Sequence, residues 1–384
     1  MSDDRIEEMV IVGGGLAGAS AACVLGKAGC PTLLLERDAE PRHKVCGEFL
    51  SIEAQTYLAH LGIDLDHLGA SRISRLRLLH RGERTEAELP FMARGLSRKA
   101  LDEALLQQAM ALGAQLARGV TVRSVSTDAS CHRVDAGSFG TIHAKSLFLA
   151  SGKHDVRGAK RPASGSMNDL IGFKTHYSLS EEQQAALVGT IEIVLFEEGY
   201  AGLQLIEGSI ANLCLVVTRR HYEKTGKGWD SLIEQMAREC PPLADRLQGA
   251  TMLFEKPLSI FQIPYGFVHR AGSTELQGIF RLGDQMGVIP SFTGEGMSIA
   301  LHSGCLAATA YLRHRRASTI YHQQMRADIR RQIRLAFLLN KAARQHLGQA
   351  AIFALCRTWP SIMRHVASFT RVREASMQRA LARP

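Results

Sequence analysis

Met9-Val10-Ile11-Val12-Gly13-Gly14-Gly15-Leu16-Ala17-Gly18 opens a stretch that runs through a segment of small residues to Leu33-Leu34-Leu35-Glu36. Met9 to Val12 is a short apolar run, the pattern of a strand buried on both faces. Gly13, Gly15 and Gly18 form G-x-G-x-x-G at the strand-to-helix turn. Gly13 permits the tight turn, Gly15 lets backbone approach a pyrophosphate, and Gly18 lets the helix pack closely on the strand. Ala17 to Lys27 reads as a helix whose first N–H groups and dipole favour an anion. Thr32 to Leu35 reads as a second strand, and Glu36 at its end suits the hydroxyls of an adenosine ribose. Strand, glycines, helix, strand and terminal acid stand in register, and together they predict dinucleotide binding.

The chain has 384 residues, more than one hydrophobic core usually serves, so two lobes are expected. A hydrophobic fraction of 46% with 22% charged residues is ordinary globular composition. No run of 18 or more uncharged apolar residues is present, which argues against a membrane span. Met1-Ser2-Asp3-Asp4 is acidic and leads straight into the first strand, unlike a signal peptide. Eight scattered cysteines, with no C-x-x-C and no Cys/His cluster at zinc spacing, predict reduced thiols in a cytoplasm and no metal site. The net charge of +9 is uneven, since fifteen Arg/Lys face only Asp328 and Glu374 from Arg313 onward. The basic C-terminal segment suits a membrane surface, an acidic carrier protein, a diphosphate substrate or simple solvation, and no nucleic-acid partner is expected. Its apolar run Ala350 to Cys356, flanked by Arg344, Arg357 and Arg364, suits a membrane surface, the cover of a long-chain substrate tunnel or packing on the main body.

Further along, Arg37 to Leu50 is a polar loop too long for a simple turn. Ser51 starts a helix through Leu61. Arg72 to Leu79 and Thr85 to Leu89 alternate as strands around Arg81-Gly82-Glu83. Ser97 caps an amphipathic helix ended by Gly113, and strands follow at Val120 to Val125, Arg133 to Ala136 and Leu147 to Ala150. Beyond about Gly165 the pattern shifts to longer strands, Ile171 to Tyr177, Thr190 to Glu197, Ala201 to Ile206 and Ala211 to Thr218, the mark of an antiparallel sheet. A helix is expected near Trp229 to Arg238. Gly278 to Asp284 returns as a strand, a long helix follows Gly294, and Ile320 to Pro384 reads as helical with a break at Pro360.

A second glycine-rich constellation, Gly283-Asp284 through Pro290-Ser291-Phe292-Thr293-Gly294-Glu295-Gly296-Met297, carries as much information as the first. Asp284 at a strand end can accept from a sugar hydroxyl. Pro290 stiffens the loop, while Gly294 and Gly296 clear Cβ atoms from a helix start. These pieces, with Val45-Cys46-Gly47 and Ser97-Arg98-x-x-Leu101-Asp102, resemble the FAD-containing lobe of the para-hydroxybenzoate hydroxylase-like flavoproteins, most nearly the geranylgeranyl reductase-like branch. The resemblance spans about Val10 to Ala308 and is strongest in the first lobe. It implies an α/β architecture: a Rossmann-type, glutathione reductase-like FAD lobe from 1–164 and 276–316, an antiparallel-sheet substrate lobe at 165–275, and C-terminal helices at 317–384.

By the same resemblance FAD is the cofactor. Glu36 would take the adenosine ribose, Arg98 the pyrophosphate and Asp284 the ribityl chain, with Gly294 to Met297 on the pyrimidine side of the flavin. Gly13, Gly15, Ala17, Gly18, Arg37, Lys44, Cys46, Gly283, Pro290, Gly294, Gly296 and Met297 complete the expected cofactor contacts. Monooxygenases of this fold carry an Asp-Gly motif tied to NAD(P)H use, whereas Ser151-Gly152 stands here, which leaves NAD(P)H or a separate electron donor open. Flavin-dependent halogenases carry Trp-x-Trp-x-Ile-Pro. The two tryptophans, Trp229 and Trp359, lie in no such context, which argues against halogenation.

Cys46 matches a cysteine beside the flavin in the resembling reductases and is the candidate catalytic residue, a proton donor or a tuner of the ring. Glu48 is expected to cap the helix starting at Ser51. Tyr200, Phe261 and Tyr265, in aromatic–glycine segments, are candidate walls of an apolar substrate pocket. Lys174 and His176 share one face of their strand, expected to be a solvated one. The expected activity is FAD-dependent oxidoreduction of a small apolar organic molecule, with hydride moved to or from a C=C bond. FAD-dependent hydroxylation of an aromatic or polyketide-like substrate is the alternative. A flavoprotein for electron transfer or carrier docking is the reading from another class.

Overall fold

The protein is described here from a computed structural model, covering residues 6–128, 131–161, 169–272 and 277–382. Met1 to Asp4, and the expected changes of lobe at 164/165 and 275/276, lie outside the described residues. In chain order the strands and helices are β1 (Ile6–Val12), α1 (Leu16–Lys27), β2 (Thr32–Glu36), β3 (Phe49–Leu50), α2 (Ile52–His60), β4 (Ser71–His80), β5 (Glu83–Gly95), α3 (Arg98–Ala111), β6 (Gln115–Arg118), β7 (Ser124–Thr127), β8 (His132–Asp135) and β9 (Thr141–Leu149). There follow β10 (Leu170–Ser178), α4 (Glu181–Leu187), β11 (Gly189–Phe196), β12 (Gly199–Leu205), β13 (Ala211–Thr218), α5 (Arg219–Lys224), α6 (Trp229–Glu239), α7 (Pro241–Leu247), β14 (Thr251–Met252), β15 (Leu258–Phe261) and β16 (Ile279–Arg281). The chain ends in α8 (Gly296–His314), α9 (Ser318–Ala343), α10 (His346–Thr358), α11 (Ser361–Phe369) and α12 (Glu374–Leu381).

Among the described residues the strands make two sheets. The first has the order β6-β2-β1-β9-β8-β7, with β16 also on β9. Its β1 runs parallel to both β2 and β9, so its apolar residues are covered on both faces. Helix α1 is rich in Ala, Gly, Ser and Cys because every residue from Leu16 to Cys23 is buried. A Cβ on Gly304 of α8 would stand 2.3 Å from the Ala17 carbonyl oxygen, so α1 and α8 meet backbone to backbone.

The second sheet has the order β14-β10-β13-β12-β11-β4-β5-β3, with β15 also on β10. It is antiparallel except where β11 lies parallel to β4. The β4–β5 hairpin, read from sequence within 1–164, thus completes the sheet that the 165–275 segment begins. The sequence reading also expected β5 to stop at Leu89. It continues to Gly95, because the ladder shifts register between Ile73 and Arg75 opposite Pro90, which has no N–H to donate. Of the expected strand Val120 to Val125 only Ser124 and Val125 are in a strand: β6 ends at Arg118, Gly119 at φ +73° turns the chain, and β7 begins at Ser124.

The C-terminal helices are structural parts of the body. Tyr321, Met325, Ile329, Ile333 and Ala336 of α9 join the main core with α1 and α8. Helix α12 packs on α8, where Thr309 donates to the Ala380 carbonyl at 3.1 Å. Between them His302 is buried against the Tyr57 hydroxyl at 2.7 Å and Asp328 at 3.2 Å. Helices α10 and α11 lie over β4 and β5. Among the described residues no helix is long and apolar enough to cross a membrane.

Candidate active site

The glycine turn is shaped by contact. Gly13 has φ +104°, and a Cβ there would fall 2.5 Å from the Ala150 carbonyl oxygen. A Cβ on Gly18 would lie 1.9 Å from the Gly13 carbonyl, closing off the helix–strand approach. Gly15 is different. A Cβ there would face the Arg98 Nη2 and Lys44 Nζ atoms at 3.6 and 4.0 Å, so two cations overlook the helix start.

Both cations pair with Asp102. Arg98 does so through two hydrogen bonds of 2.7 and 2.9 Å, and Lys44 through one of 2.9 Å. Burial works against the charges of Arg98 and Asp102, yet their pairing prevails, raising the guanidinium and holding the carboxyl below its usual range. Two positive groups against one carboxylate leave a net positive charge at the helix N-terminus, which suits a pyrophosphate. At the end of β2, Glu36 accepts from the Gly14 N–H at 2.6 Å and the Asp38 N–H at 2.9 Å. Arg37 points outward and pairs with Asp38 at 3.7 Å.

From this turn a cavity of about 410 Å³ leads inward between the two sheets. Gly15 and Ala17 lie at its mouth, with Cys46, Gly47, Gly152, Lys153, Gly283, Asp284, Gly294, Gly296 and Met297 farther in. A Cβ on Gly47, Gly152 or Gly296 would meet nothing within 4 Å, which leaves a slot bordered by bare backbone. That slot, continuous with the cationic turn, leaves room for an extended FAD, which the Cys46 loop and the start of α8 would border. Asp284 pairs with Lys153 at 3.0 Å, and although burial opposes the ammonium, the carboxylate raises it. Pro290 is buried outside the lining and begins the turn Ser291–Thr293. Gly294 takes φ +72°, and a Cβ there would press on the Phe49 ring at 2.8 Å.

Glu48 departs from the cap expected of it. Its carboxylate is fully buried, bonded to the Lys174 ammonium, to His176 Nε2 at 3.0 Å and to the Arg98 N–H at 2.7 Å. Burial pushes this carboxyl up, but the His176 hydrogen bond and the Lys174 charge hold it below the ordinary range. Lys174 and His176, expected on a solvated face, are therefore interior. Their face of β10 packs under the Cys46 loop. Asn212 donates to the Gly47 carbonyl at 2.9 Å and Gln204 to the Glu48 carbonyl at 2.8 Å, so the loop is held to the second sheet along its length.

His43 joins the same cluster. Its ring meets His176 edge-on at 4.8 Å, and burial with the nearby Lys174 pushes it down to about 4. His43, Glu48 and His176 bring one ligand-type atom each within 4.8 Å of one another, a grouping invisible in the linear spacing. The Lys174 ammonium already supplies a positive charge to that carboxylate.

Beyond the slot the cavity becomes an apolar chamber. Leu76, Leu78, Phe91, Ile191 and Ile193 of the second sheet face Ile352, Met363 and Val366 of α10 and α11. Tyr200 and Tyr265 both line it, and their hydroxyls meet the Ser291 Oγ at 2.6 and 2.7 Å. Burial raises the pKa of both phenols. Phe261 lies elsewhere, 56% exposed, and its neighbour Ile260 takes the lining position. Strand alternation admits only one of two adjacent side chains, and the aromatic was the wrong one to select. The sequence reading did not select Lys153, and it offered the cover of a substrate tunnel only as one reading of the apolar run at 350–356, which α10 places against the chamber. Lys153, directly after the apolar end of β9, carried the only local signal.

Residues 7–161 match the family model described as FAD binding domain. The first lobe is thus an FAD-binding domain of the kind found in flavin-dependent oxidoreductases and halogenases, and FAD is its cofactor. Across the longer chain the similarities divide. "Flavin-dependent halogenase armH1" of Armillaria mellea is 22% identical over 337 residues, covering 78% of this chain and 64% of that protein. "Menaquinone reductase" of Mycobacterium tuberculosis is 31% identical over 170 residues, 42% of this chain and 41% of that protein. Among solved structures, flavin-dependent brominase Bmp2 superposes with a TM-score of 0.79 at 19% identity, covering 95% of this chain and 93% of that one. The chain therefore spans between two-fifths and just under two-thirds of these curated relatives. Halogenases, set aside from the missing tryptophan motif, are among the proteins this chain is similar to.

Proposed function

We propose that the protein is an FAD-dependent oxidoreductase acting on a largely apolar organic molecule held in the chamber, with hydride moved to or from a C=C bond. The observation that carries this reading is the continuity of one cavity, from the cationic glycine turn, through a backbone-lined slot, into an apolar chamber. FAD, when bound, supplies a two-electron carrier able to give or take a hydride. The chain's residues do the rest. Apolar walls exclude water and orient the substrate, while Tyr200, Tyr265 and Ser291 offer a hydroxyl cluster for a polar group at its end. Cys46, on the pinned loop at the slot, is the candidate donor of the accompanying proton. Ser151 donates to the His154 carbonyl at 2.7 Å within its own turn, and the electron donor, NAD(P)H or a separate protein, is left to assay.

A second reading is favoured by the sequence similarity to halogenases: an oxygen-dependent reaction, hydroxylation or halogenation, in the same chamber. The test is turnover of a panel of prenylated quinones and polyphenols by the FAD-loaded protein. It is run with chemically reduced flavin under argon, and again in air with and without bromide. Product under argon supports hydride transfer. Product only in air, with or without incorporated bromine, would replace it by the second reading. An FAD-loaded protein that converts nothing under any of these conditions would count against both.

A further inference from the structure

Helix α10 is apolar on both sides. Its inward face buries Phe353 and Cys356. Its outward face carries Leu347, Ala351, Ala354 and Leu355, spaced i, i+4, i+7 and i+8, and all four are exposed. Leu347 is 82% exposed, and Trp359, one turn beyond Leu355, is 58% exposed. A helix apolar all round is normally enclosed, and an open apolar strip of this kind marks a contact with another apolar phase.

The surrounding charge says which phase. From Ile329 to Arg373 the sequence has nine Arg/Lys and no Asp or Glu. Arg357 and Arg364 are exposed on α10 and α11 themselves, although Arg357 also reaches Glu83 at 2.6 Å. An apolar strip flanked by arginines, with Glu83 paired to one of them, is the pattern of a helix lying in the interface of an anionic lipid surface. The same helices wall the chamber. Leu355 belongs both to that lining and to the exposed strip, being 43% exposed, so only one turn of α10 separates the strip from the cavity.

We propose that α10 and α11 rest on an anionic lipid surface, with Leu347, Leu355 and Trp359 among the acyl chains and Arg357 and Arg364 at the phosphates. The apolar substrate then passes from the lipid into the chamber beside Leu355 without crossing water. The passage of substrate rests on the chamber being the substrate site, whereas the docking stands on the helix face and its charge.

The test uses the full chain loaded with FAD and no substrate, so its result is separate from the assay of the reaction. Sedimentation is measured with vesicles of phosphatidylcholine containing about a third phosphatidylglycerol, and with phosphatidylcholine alone. The expected result is binding to the anionic vesicles, at least tenfold weaker on neutral ones and weakened by salt. Leu347→Glu with Trp359→Glu, neither residue lining the cavity, should lower that binding at least tenfold while the bound-flavin spectrum is kept. Equal binding by this double variant would overturn the proposal, as would failure of the native protein to bind anionic vesicles. In the second case, a dimer split by the same substitutions would assign the face to a second copy. Binding to an acidic acyl carrier protein would assign it to a protein. Either would replace the lipid.

Discussion

Glu295 illustrates how one buried side chain ties the cofactor loop to a distant part of the chain. It sits at the start of α8 with no exposure, and its nearest opposite charge is Arg371 at 3.6 Å. Burial pushes its carboxyl up to about 8, against the pull of Arg371. The folded protein therefore keeps a proton that the unfolded chain releases near its ordinary value of 4.5. The resulting stability is complete below 4.5 and declines as the pH rises, until it is lost above about 8. Glu295→Gln should flatten that decline, measurable as a smaller fall in melting temperature across the window. Glu36 makes a second residue-level prediction. Glu36→Ala removes a charged acceptor worth about 2 kcal/mol, so FAD affinity should fall roughly thirtyfold in a fluorescence titration. The positions of Glu36 and the glycines were legible because they are set locally: a strand end, a turn and a helix start within one short stretch. Glu48 was misread because its partners, Lys174 and His176, come from a strand more than a hundred residues away.

At the scale of elements, the Cys46 loop is held by the second sheet as much as by the first. Lys174→Met would leave the Glu48 carboxylate buried beside a neutral chain, and such losses cost about 3–5 kcal/mol. Urea unfolding should show that fall, with a smaller one for Lys174→Met combined with Glu48→Gln. Cys46→Ala should leave the flavin bound and lower turnover, and recovery by added small thiols or amines would identify a missing proton donor. Period-two alternation revealed β10 to β13 with boundaries good to a residue or two. It could not reveal which face of β10 was covered, because that depends on where the Cys46 loop lies. Nor could periodicity show that β11 would pair parallel to β4, a contact made by tertiary arrangement alone.

At the scale of the molecule, the chamber is built from three separate regions: the second sheet, the Gly294 loop and helices α10 and α11. Val366→Trp should fill it from the helical side, abolishing turnover of bulky substrates while FAD binding is unchanged by spectrum. The presence of two sheets was readable in the sequence, because buried strands announce themselves by composition, although the membership of β4 and β5 in the second was not. The role of the last helices was not, since a basic helical run looks alike whether it is a solvated face or a cavity wall. Removing everything after Arg316 would strip Tyr321, Met325 and Ile329 from the main core, so truncation is expected to unfold the protein rather than isolate a docking function.

The α10–α11 side of the chamber is synthesised after both sheets. Translation produces the glycine turn, both sheets and most of the cavity well before α10 and α11 leave the ribosome. Until they do, the nascent chain must carry an open apolar trough with no wall on one side. Closure of the chamber is therefore expected only once α10 and α11 have emerged, and exposed apolar surface of that kind is prone to aggregate until then.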